Sequence, residues 1–424
     1  MTITDESTVR RTTSKRKVLI SGAGIAGPAL AFWLNRHGYA VTVVEKAGAP
    51  RNGGYPIDVR GTALEVVRRM GILPRLRDAH IDTRRFTFLD EGGGTVASVE
   101  PRAANGGGPP SAANGGDLEV RRGELVDALY GAVRDDVEFV FDDSIDTFDQ
   151  SGTLGQPGTP DQSSGRGVDV RFRGGGERTY DMVFGADGLH SRTREALFGP
   201  EERFHHYLGY CFAGFTVPNT FGLSHEIMMW NTPGRAAALY AVRDDDRVHV
   251  LLNFARPDPR FGALRDPAAQ LDLVASVFGD AGWEVPGLVA AMRGADDLFV
   301  DVVSQIRMPR WSSGRVALVG DAAYAPSFLT GQGTSLALVG AYMLAGSLAG
   351  RGAAEGFAAY EHGTREFVGL NQALVGEGGA ALFPTTARAL ERRNAMLRGL
   401  GTMPVPEGRP AHTALALPEF TPVG

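Results

Sequence analysis

The chain has 424 residues, too many for one hydrophobic core and suited to two or three domains. Its net charge of -6 argues against the basic face that nucleic-acid binding requires, while hydrophobic residues at 43% are typical of a soluble globular protein. Cys211 is the single cysteine, which excludes an intramolecular disulfide and a cysteine-rich zinc site, and no apolar run reaches about 18 residues, so we predict a soluble cytoplasmic protein.

The first part of the chain reads as a polar tail followed by a nucleotide-binding unit. Residues 1–14 are predicted to be disordered, and 16–46 read as strand, glycine turn, helix and strand. Gly22, Gly24 and Gly27 form the pattern G-x-G-x-x-G, in which the glycines allow a tight turn, a close approach to a pyrophosphate and close packing of the helix on the sheet.

An acidic residue completes this pattern. Glu45 ends the second strand, where a carboxylate can accept hydrogen bonds from the ribose hydroxyls of an adenosine. A carboxylate there disfavours a 2′-phosphate, so the predicted dinucleotide is FAD or NAD rather than NADP. A glycine turn that holds no ligand is the alternative.

Two later strands end in aspartate and decide between the two dinucleotides. Residues 181–194 form a strand that ends in Ala-Asp-Gly, with Asp187 followed by a basic helix start. Residues 316–335 form a second strand that ends at Gly-Asp, with Asp321 followed by a helix that begins at Gly331. A flavin dinucleotide is longer than NAD and must be held well beyond the first turn, so these strand ends favour FAD. A helix cap for Asp187 and a turn former for Asp321 are the alternatives.

These three motifs, in this order and spacing, resemble the class A flavoprotein aromatic hydroxylases, the group of p-hydroxybenzoate hydroxylase. The similarity extends over most of 16–400. The stretches 51–61, 120–129 and 353–395 are most similar to the branch of flavin-dependent tetracycline-inactivating monooxygenases. The resemblance implies an α/β fold with an FAD-binding, Rossmann-like domain of the glutathione-reductase type, an inserted β-sheet-rich substrate domain and a long C-terminal helix.

The resemblance also gives domain boundaries. It implies a discontinuous FAD-binding domain formed by 15–79, 118–199 and 296–350. The substrate domain would comprise 80–117 and 200–295, followed by a helical segment 351–400 and an extended tail 401–424.

Positions that match the motifs of the family are expected to hold the cofactor. Arg122 resembles the arginine at the ribityl-phosphate region, although a solvated arginine at a helix start is the alternative. Asp187 resembles the aspartate implicated in both FAD and NADPH binding, and Asp321 the one that bonds the ribityl hydroxyls. The full set of predicted cofactor-binding residues is Gly22, Gly24, Ala26, Gly27, Glu45, Lys46, Gly54, Asp58, Arg122, Asp187, Asp321, Gly331, Gly333, Thr334 and Ser335.

The activity implied by the resemblance is that of an FAD-dependent monooxygenase. NAD(P)H would reduce FAD, O2 would add to it, and the resulting C4a-hydroperoxide would hydroxylate an aromatic or polycyclic small molecule. Natural-product tailoring and antibiotic modification are the contexts that fit, with the protein a monomer or homodimer that binds no metal. An epoxidase or Baeyer–Villiger enzyme, a reductase and a non-catalytic flavin-binding partner are the alternatives.

Substrate contacts are less specific in the sequence. Arg235 and His249 match polar substrate contacts of the tetracycline-modifying branch, but a solvated turn arginine and a satisfied strand histidine are equally good readings. The loop after Asp321 departs from the family pattern. It has Tyr324, Phe328 and Ser335 where the family commonly has histidine, proline and asparagine, and Phe328, predicted to lie near the flavin, fits the pattern least.

Overall fold

The computed structural model describes residues 15–50, 53–101, 116–150, 167–257, 266–376, 383–400, 402–403 and 409–421. The predicted disordered tail 1–14 lies outside these ranges. Helices and strands are both present, and the predicted α/β fold is confirmed.

The strands are β1 (Lys17–Ser21), β2 (Ala40–Val44), β3 (Pro56–Val59), β4 (Arg85–Leu89), β5 (Thr95–Pro101), β6 (Leu118–Arg121), β7 (Glu138–Val140), β8 (Ile145–Gln150), β9 (Val168–Phe172), β10 (Glu177–Tyr180), β11 (Met182–Gly185), β12 (His205–Pro218), β13 (Glu226–Thr232), β14 (Arg235–Ala241), β15 (Arg247–Ala255), β16 (Phe299–Ile306), β17 (Ser312–Ser313), β18 (Val316–Leu318) and β19 (Thr402–Met403). The helices are α1 (Ala26–Arg36), α2 (Thr62–Arg69), α3 (Leu73–Asp78), α4 (Arg122–Gly131), α5 (Arg192–Phe198), α6 (Pro267–Val277), α7 (Val285–Met292), α8 (Asp321–Tyr324), α9 (Gly333–Leu348), α10 (Ala353–Ala373) and α11 (Ala387–Arg398).

The first sheet has the order β17-β18-β11-β1-β2-β7 and is parallel except for the short β17. Val18, Leu19 and Ile20 of its central strand are fully buried, which explains the unbroken apolar run in the sequence. Helices α1 and α9 pack against this sheet in one continuous core. Every residue of α9 after Gly333 is buried, so its long apolar run reflects a core helix; no helix among the described residues has the length and apolarity to cross a membrane.

Three distant segments of the chain supply neighbouring strands of this sheet. Because β2, β1, β11 and β18 run parallel, their C-terminal ends meet at one edge. The glycine turn follows β1 there, Asp187 follows β11 and Asp321 follows β18. Ligands of open α/β sheets bind outside this edge.

The second sheet has the order β16-β12-β15-β14-β13-β4-β5-β19. One face packs on α6 and α7 through a core that includes Phe215, Trp230 and Leu252. Because side chains alternate along a strand, the residues next to these in sequence lie on the other face, which we call the cleft face. The cleft face carries Tyr240 and, directly opposite it on the neighbouring strand, His249.

The border between the two units differs from the expected one. Strand β16 lies in the segment 296–350, which was assigned from sequence to the FAD-binding domain, but it pairs with β12 along the edge of the second sheet. Strands β3 and β6 flank β4 and β5 in the chain and form a separate two-stranded ribbon, which carries Asp58 opposite Glu119.

The end of the chain packs across helices of the first unit. The hydroxyl of Thr62 in α2 donates to the carbonyl of Leu415 at 2.9 Å, and that of Tyr342 in α9 to Pro418 at 2.6 Å. The ring of Phe420 lies 5.3 Å from that of Tyr342 and covers Gly346, where a Cβ would come within 1.9 Å of the phenyl ring. The segment 409–421 therefore contributes to the core around α9.

We expect Phe420→Ala to lower the free energy of unfolding by about 1–3 kcal/mol, because it removes a packed aromatic ring. Glu419→Ala is the matched control, since it removes only the ion pair from the highly exposed Glu419 to Arg69 and should change stability by less than about 1 kcal/mol. Urea unfolding of the two variants measures both effects. Equal losses would show that the ring does not anchor the segment.

Candidate active site

The glycine turn after β1 is built by close contacts between backbones. Gly22 has φ +106°, and a Cβ added to it would lie 2.5 Å from the carbonyl oxygen of Ala186 after β11. A Cβ on Gly27 would lie 1.9 Å from the carbonyl oxygen of Gly22. No side chain fits at either position, so the N-terminus of α1 is held directly against the ends of β1 and β11. Ala26 is buried beside this contact.

Glu45 braces the same turn. Its Oε2 accepts a hydrogen bond from the backbone N–H of Ala23 at 2.8 Å, and its Oε1 accepts one from Ala47 at 3.0 Å. Each carboxylate oxygen has a second lone pair for another donor, such as a ribose hydroxyl. Lys46 is exposed beside it.

Arg122, the first residue of α4, connects the glycine turn with the segment before β3. Its Nη2 lies 3.8 Å from the position of a Cβ on Gly24. Its Cδ lies 3.2 Å from a Cβ position on Gly54, which has φ +127°. The side chain of Arg122 thus lies next to two glycines, where a ligand can approach the backbone. Its guanidinium can neutralise a phosphate bound there.

The loop from β18 to α9 supplies the other end of the site. Oδ1 of Asp321 is 3.8 Å from a Cβ position on Gly333, at the start of α9. Burial raises the pKa of the Asp321 carboxyl, an effect that the guanidinium groups of Arg122 and Arg194 oppose. Gly331 has φ +65°, and a Cβ on it would lie 2.8 Å from Oδ2 of Asp58. The glycines and carboxylates predicted from separate motifs are therefore adjacent.

The N-terminus of α9 is fixed by the ribbon of β3 and β6. Oγ of Ser335 accepts a hydrogen bond from the backbone N–H of Arg60 at 3.0 Å, and Arg60 forms an ion pair with Asp58 at 2.8 Å. Thr334 is buried beside Ser335. The free N–H groups at the start of this 16-residue helix favour negative charge in front of it.

A buried amide at the start of α9 also fits the binding of FAD. Gln332 lies between Gly331 and Gly333, is fully buried, and has no hydrogen-bond partner among the described residues for either polar atom of its amide. A buried amide needs polar partners, which the polar edge of a ring bound at this turn would supply. Gly22, Gly24 and Arg122 would hold the pyrophosphate, Glu45 the adenosine ribose and Asp321 the ribityl chain.

Asp187 makes contacts within its own segment. Its Oδ1 accepts from the hydroxyl of Ser191 at 2.5 Å, and its Oδ2 accepts from the backbone N–H and hydroxyl of Thr193 at 3.0 and 2.9 Å. These bonds hold the start of α5 in place, but the N-cap of that helix is Ser191, whose hydroxyl accepts a hydrogen bond from the backbone N–H of Arg194 at 2.9 Å.

The two predicted substrate contacts lie on opposite faces of the second sheet. Arg235 points to the helices behind it, where Nη1 donates to the carbonyl of Val277 at 2.9 Å and pairs with Asp280. His249 is half-buried on the cleft face, and burial, together with the charge of Arg121, lowers the pKa of its imidazole. The structure therefore brings His249 to the cleft and does not bring Arg235 there.

Phe328 belongs to an aromatic cluster at the cleft. Its ring lies 5.0 Å from that of Phe212 on β12 and 6.4 Å from Phe383, edge to face in both cases. Phe212 also contacts the exposed Phe299 of β16 at 5.6 Å. The loop of the first unit thus touches the cleft face of the second through aromatic rings, and Phe328 keeps 38% of its surface exposed.

Comparison with known proteins agrees with this geometry. The FAD-binding domain family matches residues 15–371. A flavin-dependent monooxygenase from an unknown prokaryotic organism is 35% identical and covers 96% of this chain and 99% of its own. The chain belongs to the flavin-dependent monooxygenases.

Two other proteins are similar to this monooxygenase over most of their length. A protein of Mycobacterium tuberculosis is 42% identical over 87% of this chain and 95% of its own length. The crystal structure of the tetracycline destructase Tet(55) is similar with a TM-score of 0.78 and 33% identity, covering 96% of this chain and 99% of Tet(55). The family resemblance drawn from the motifs is confirmed, and so is the FAD-binding fold.

Two contacts of the monooxygenase escaped sequence analysis. His190, just after the Ala-Asp-Gly motif, bonds Glu201 at 2.8 Å through Nδ1 and Asp301 of β16 at 3.0 Å through Nε2, which joins the two units. Arg393 of α11 is buried on the cleft-face side and donates to Oδ1 of Asn231 at 3.0 Å, which anchors that helix. The histidine beside the motif was a visible signal, whereas the partner of Arg393 lies 162 residues away.

We expect Gly27→Ala to abolish retention of FAD. The new methyl group would collide with the carbonyl of Gly22, and relieving that collision must displace the turn or α1, at about 1–3 kcal/mol of stability. Flavin absorbance per protein after purification measures the loss. Gly369→Ala is the control, because a Cβ on Gly369 in α10 meets no atom within 4 Å. Full FAD retention by Gly27→Ala would contradict the close packing.

We expect His190→Gln to lower the melting temperature most at acidic and neutral pH. Hydrogen bonds to Asp301 and Glu201 raise the pKa of His190 to about 10. A histidine pKa raised on folding contributes stability fully below its ordinary value near 6.5, and that stability is lost as pH rises through the folded value. The difference from wild type should therefore shrink toward pH 10.

Thermal unfolding across pH measures this difference, with His206→Gln, an exposed histidine on β12, as the control. A difference that stays constant or grows with pH would show that the charge of His190 is not the source of its effect.

Proposed function

We propose that this monooxygenase uses NAD(P)H and O2 to hydroxylate an aromatic or polycyclic small molecule. The observation that supports this proposal best is the aromatic cluster of Phe212, Phe328 and Phe383. It adjoins the loop whose glycines and helix N-terminus fit the flavin ring. Aromatic surfaces favour planar apolar ligands through offset and edge-to-face contacts.

FAD held by these residues would supply the redox chemistry, the acceptance of electrons from the nicotinamide and the activation of O2, which no side chain of the protein can supply. The residues of this chain orient the reactants and exclude water. The N-terminus of α9 favours negative charge in front of it, and the buried amide of Gln332 lies at the same helix start. Leu251 and Leu329 pack with Phe212 and Phe383 of this cluster, and their apolar surfaces would exclude water from a substrate bound beside them.

The nature of the relatives supports a substrate made by secondary metabolism. Tet(55) and Tet(51) are named tetracycline destructases, and both are covered by this chain over nearly their whole length. We therefore propose natural-product tailoring or antibiotic modification as the context. Tetracycline and the polycyclic phenol alizarin are the first substrates to test.

The deciding experiment supplies the FAD-loaded protein with NADPH, isotope-labelled O2 and each candidate compound. We expect a product heavier by one labelled oxygen atom, detected by mass spectrometry. NADPH consumption that yields only hydrogen peroxide with these compounds favours a flavoprotein that does not hydroxylate them. Insertion of the labelled atom into a ring favours a Baeyer–Villiger enzyme, and purified protein without flavin absorbance overturns every flavin-dependent function.

A further inference from the structure

The segment 409–421, which we call the C-terminal strap, lies against the turn between β3 and α2. Gly61 in that turn has φ +53°, and a Cβ added to it would lie 2.2 Å from the carbonyl oxygen of His412. A side chain at this position would collide with the strap. The strap and the turn therefore meet backbone to backbone.

The residue before Gly61 connects this contact with the turn 331–333, which we call the flavin turn. The backbone N–H of Arg60 donates to Oγ of Ser335 at 3.0 Å, and its guanidinium pairs with Asp58 at 2.8 Å. Oδ2 of Asp58 lies 2.8 Å from a Cβ position on Gly331. A displacement of Gly61 would therefore move two residues that hold the start of α9, in front of which the flavin ring is expected.

Two hydrogen bonds hold the strap on either side of His412. Nδ2 of Asn371, a fully buried residue of α10, donates to the carbonyl of Ala411 at 2.8 Å. The hydroxyl of Thr62, the first residue of α2, donates to the carbonyl of Leu415 at 2.9 Å. The side chain of His412 is buried between these two bonds. The strap is thus fixed at the place where it meets the turn.

The other end of the strap is attached far from the flavin turn. The carbonyl of Pro418 accepts a hydrogen bond from Tyr342, and the ring of Phe420 covers Gly346. Gly346 is near the C-terminal end of α9, about 20 Å along the helix axis from Gly333 at its start. A substitution can therefore loosen one end of the strap without touching the contact at the other end.

We propose that the C-terminal strap positions the flavin turn and thereby strengthens the binding of FAD. Its backbone contact with Gly61 keeps Arg60 and Asp58 in place, although every residue predicted to touch FAD lies between Gly22 and Ser335. Coupling between two sites is reciprocal, so bound FAD stabilises the strap to the same extent. The proposal requires FAD binding and is independent of the hydroxylation proposed above.

The first test measures the dissociation constant of FAD by equilibrium dialysis of the full-length apoprotein. Gly61→Ala drives a methyl group into the carbonyl of His412, and Asn371→Leu removes the anchor at Ala411 with a side chain of similar size. We expect each to raise the dissociation constant about tenfold, the factor that one hydrogen bond of ordinary strength controls. Both act through one contact, so the double variant should raise it by clearly less than the product of about a hundredfold.

Two variants at the far end of the strap separate positioning from stability. Phe420→Ala removes the ring over Gly346 and lowers stability, and Glu419→Ala removes only the exposed ion pair with Arg69. Both should leave the dissociation constant of FAD within about twofold of wild type, because neither changes the contact with Gly61. The proposal is overturned if Asn371→Leu binds FAD as wild type does. It is also overturned if Phe420→Ala weakens FAD binding as much as Asn371→Leu, since the effect would then follow stability alone.

Hydrogen exchange of the wild-type protein with and without FAD tests the reciprocal effect and needs no substitution. We expect the amides of the strap to exchange about tenfold more slowly when FAD is bound. Strands β9 and β10, in the separate three-stranded sheet, carry no predicted FAD contact and should be slowed less than the strap. Equal slowing of both segments would show a general stabilisation of the fold, and an unchanged strap would show that strap and site are independent. Either result overturns the proposal and leaves the monooxygenase function standing.

Discussion

The structure depends on the close approach of backbones at the C-terminal edge of the first sheet. Gly22 and Gly27 have no room for a Cβ, so β1, α1 and the end of β11 are in direct contact at one point. This contact brings chain segments separated by more than a hundred residues to the same edge. The positions of all the proposed FAD contacts, from Glu45 to Asp321, depend on this backbone contact.

The second constraint is that two independently built units must share one cleft. The aromatic contact of Phe328 with Phe212 joins the loop before α9 to the second sheet, and His190 joins the loop after β11 to Asp301 on its edge strand. Thr83 makes a third connection, because its hydroxyl bonds both the Glu119 carboxyl of the β3–β6 ribbon and the Tyr240 hydroxyl of the second sheet. Two groups with strongly shifted pKa values are at these connections: hydrogen bonds to Asp301 and Glu201 raise the pKa of His190, and burial with the charge of Asp58 raises the pKa of Glu119.

Sequence analysis predicted the parts of the site that are local in the chain. The glycine turn, Glu45 and the strand-end aspartates follow from short-range rules, and the structure groups them at one edge. The alternation of residues along β15 correctly predicted which neighbours share a face with His249. It could not predict which face of the sheet is covered by helices, and Arg235 lies on that covered face. Glu119 and Tyr240 are 121 residues apart in the chain and are joined through the hydroxyl of Thr83 only by tertiary packing, so no local pattern could pair them.

The departures of the loop after β18 from the family pattern become intelligible through their packing partners. Tyr324 fits only because residue 340 is glycine, since a Cβ there would lie 1.8 Å from the tyrosine hydroxyl. That hydroxyl accepts a hydrogen bond from Tyr360 at 2.9 Å. Ser335 accepts from the backbone of Arg60, and Phe328 packs on Phe212. Each unusual residue of the loop is thus matched by a residue elsewhere that accommodates it. The ring of Phe328 packs against the cleft face, where it belongs to the aromatic cluster with Phe212 and Phe383.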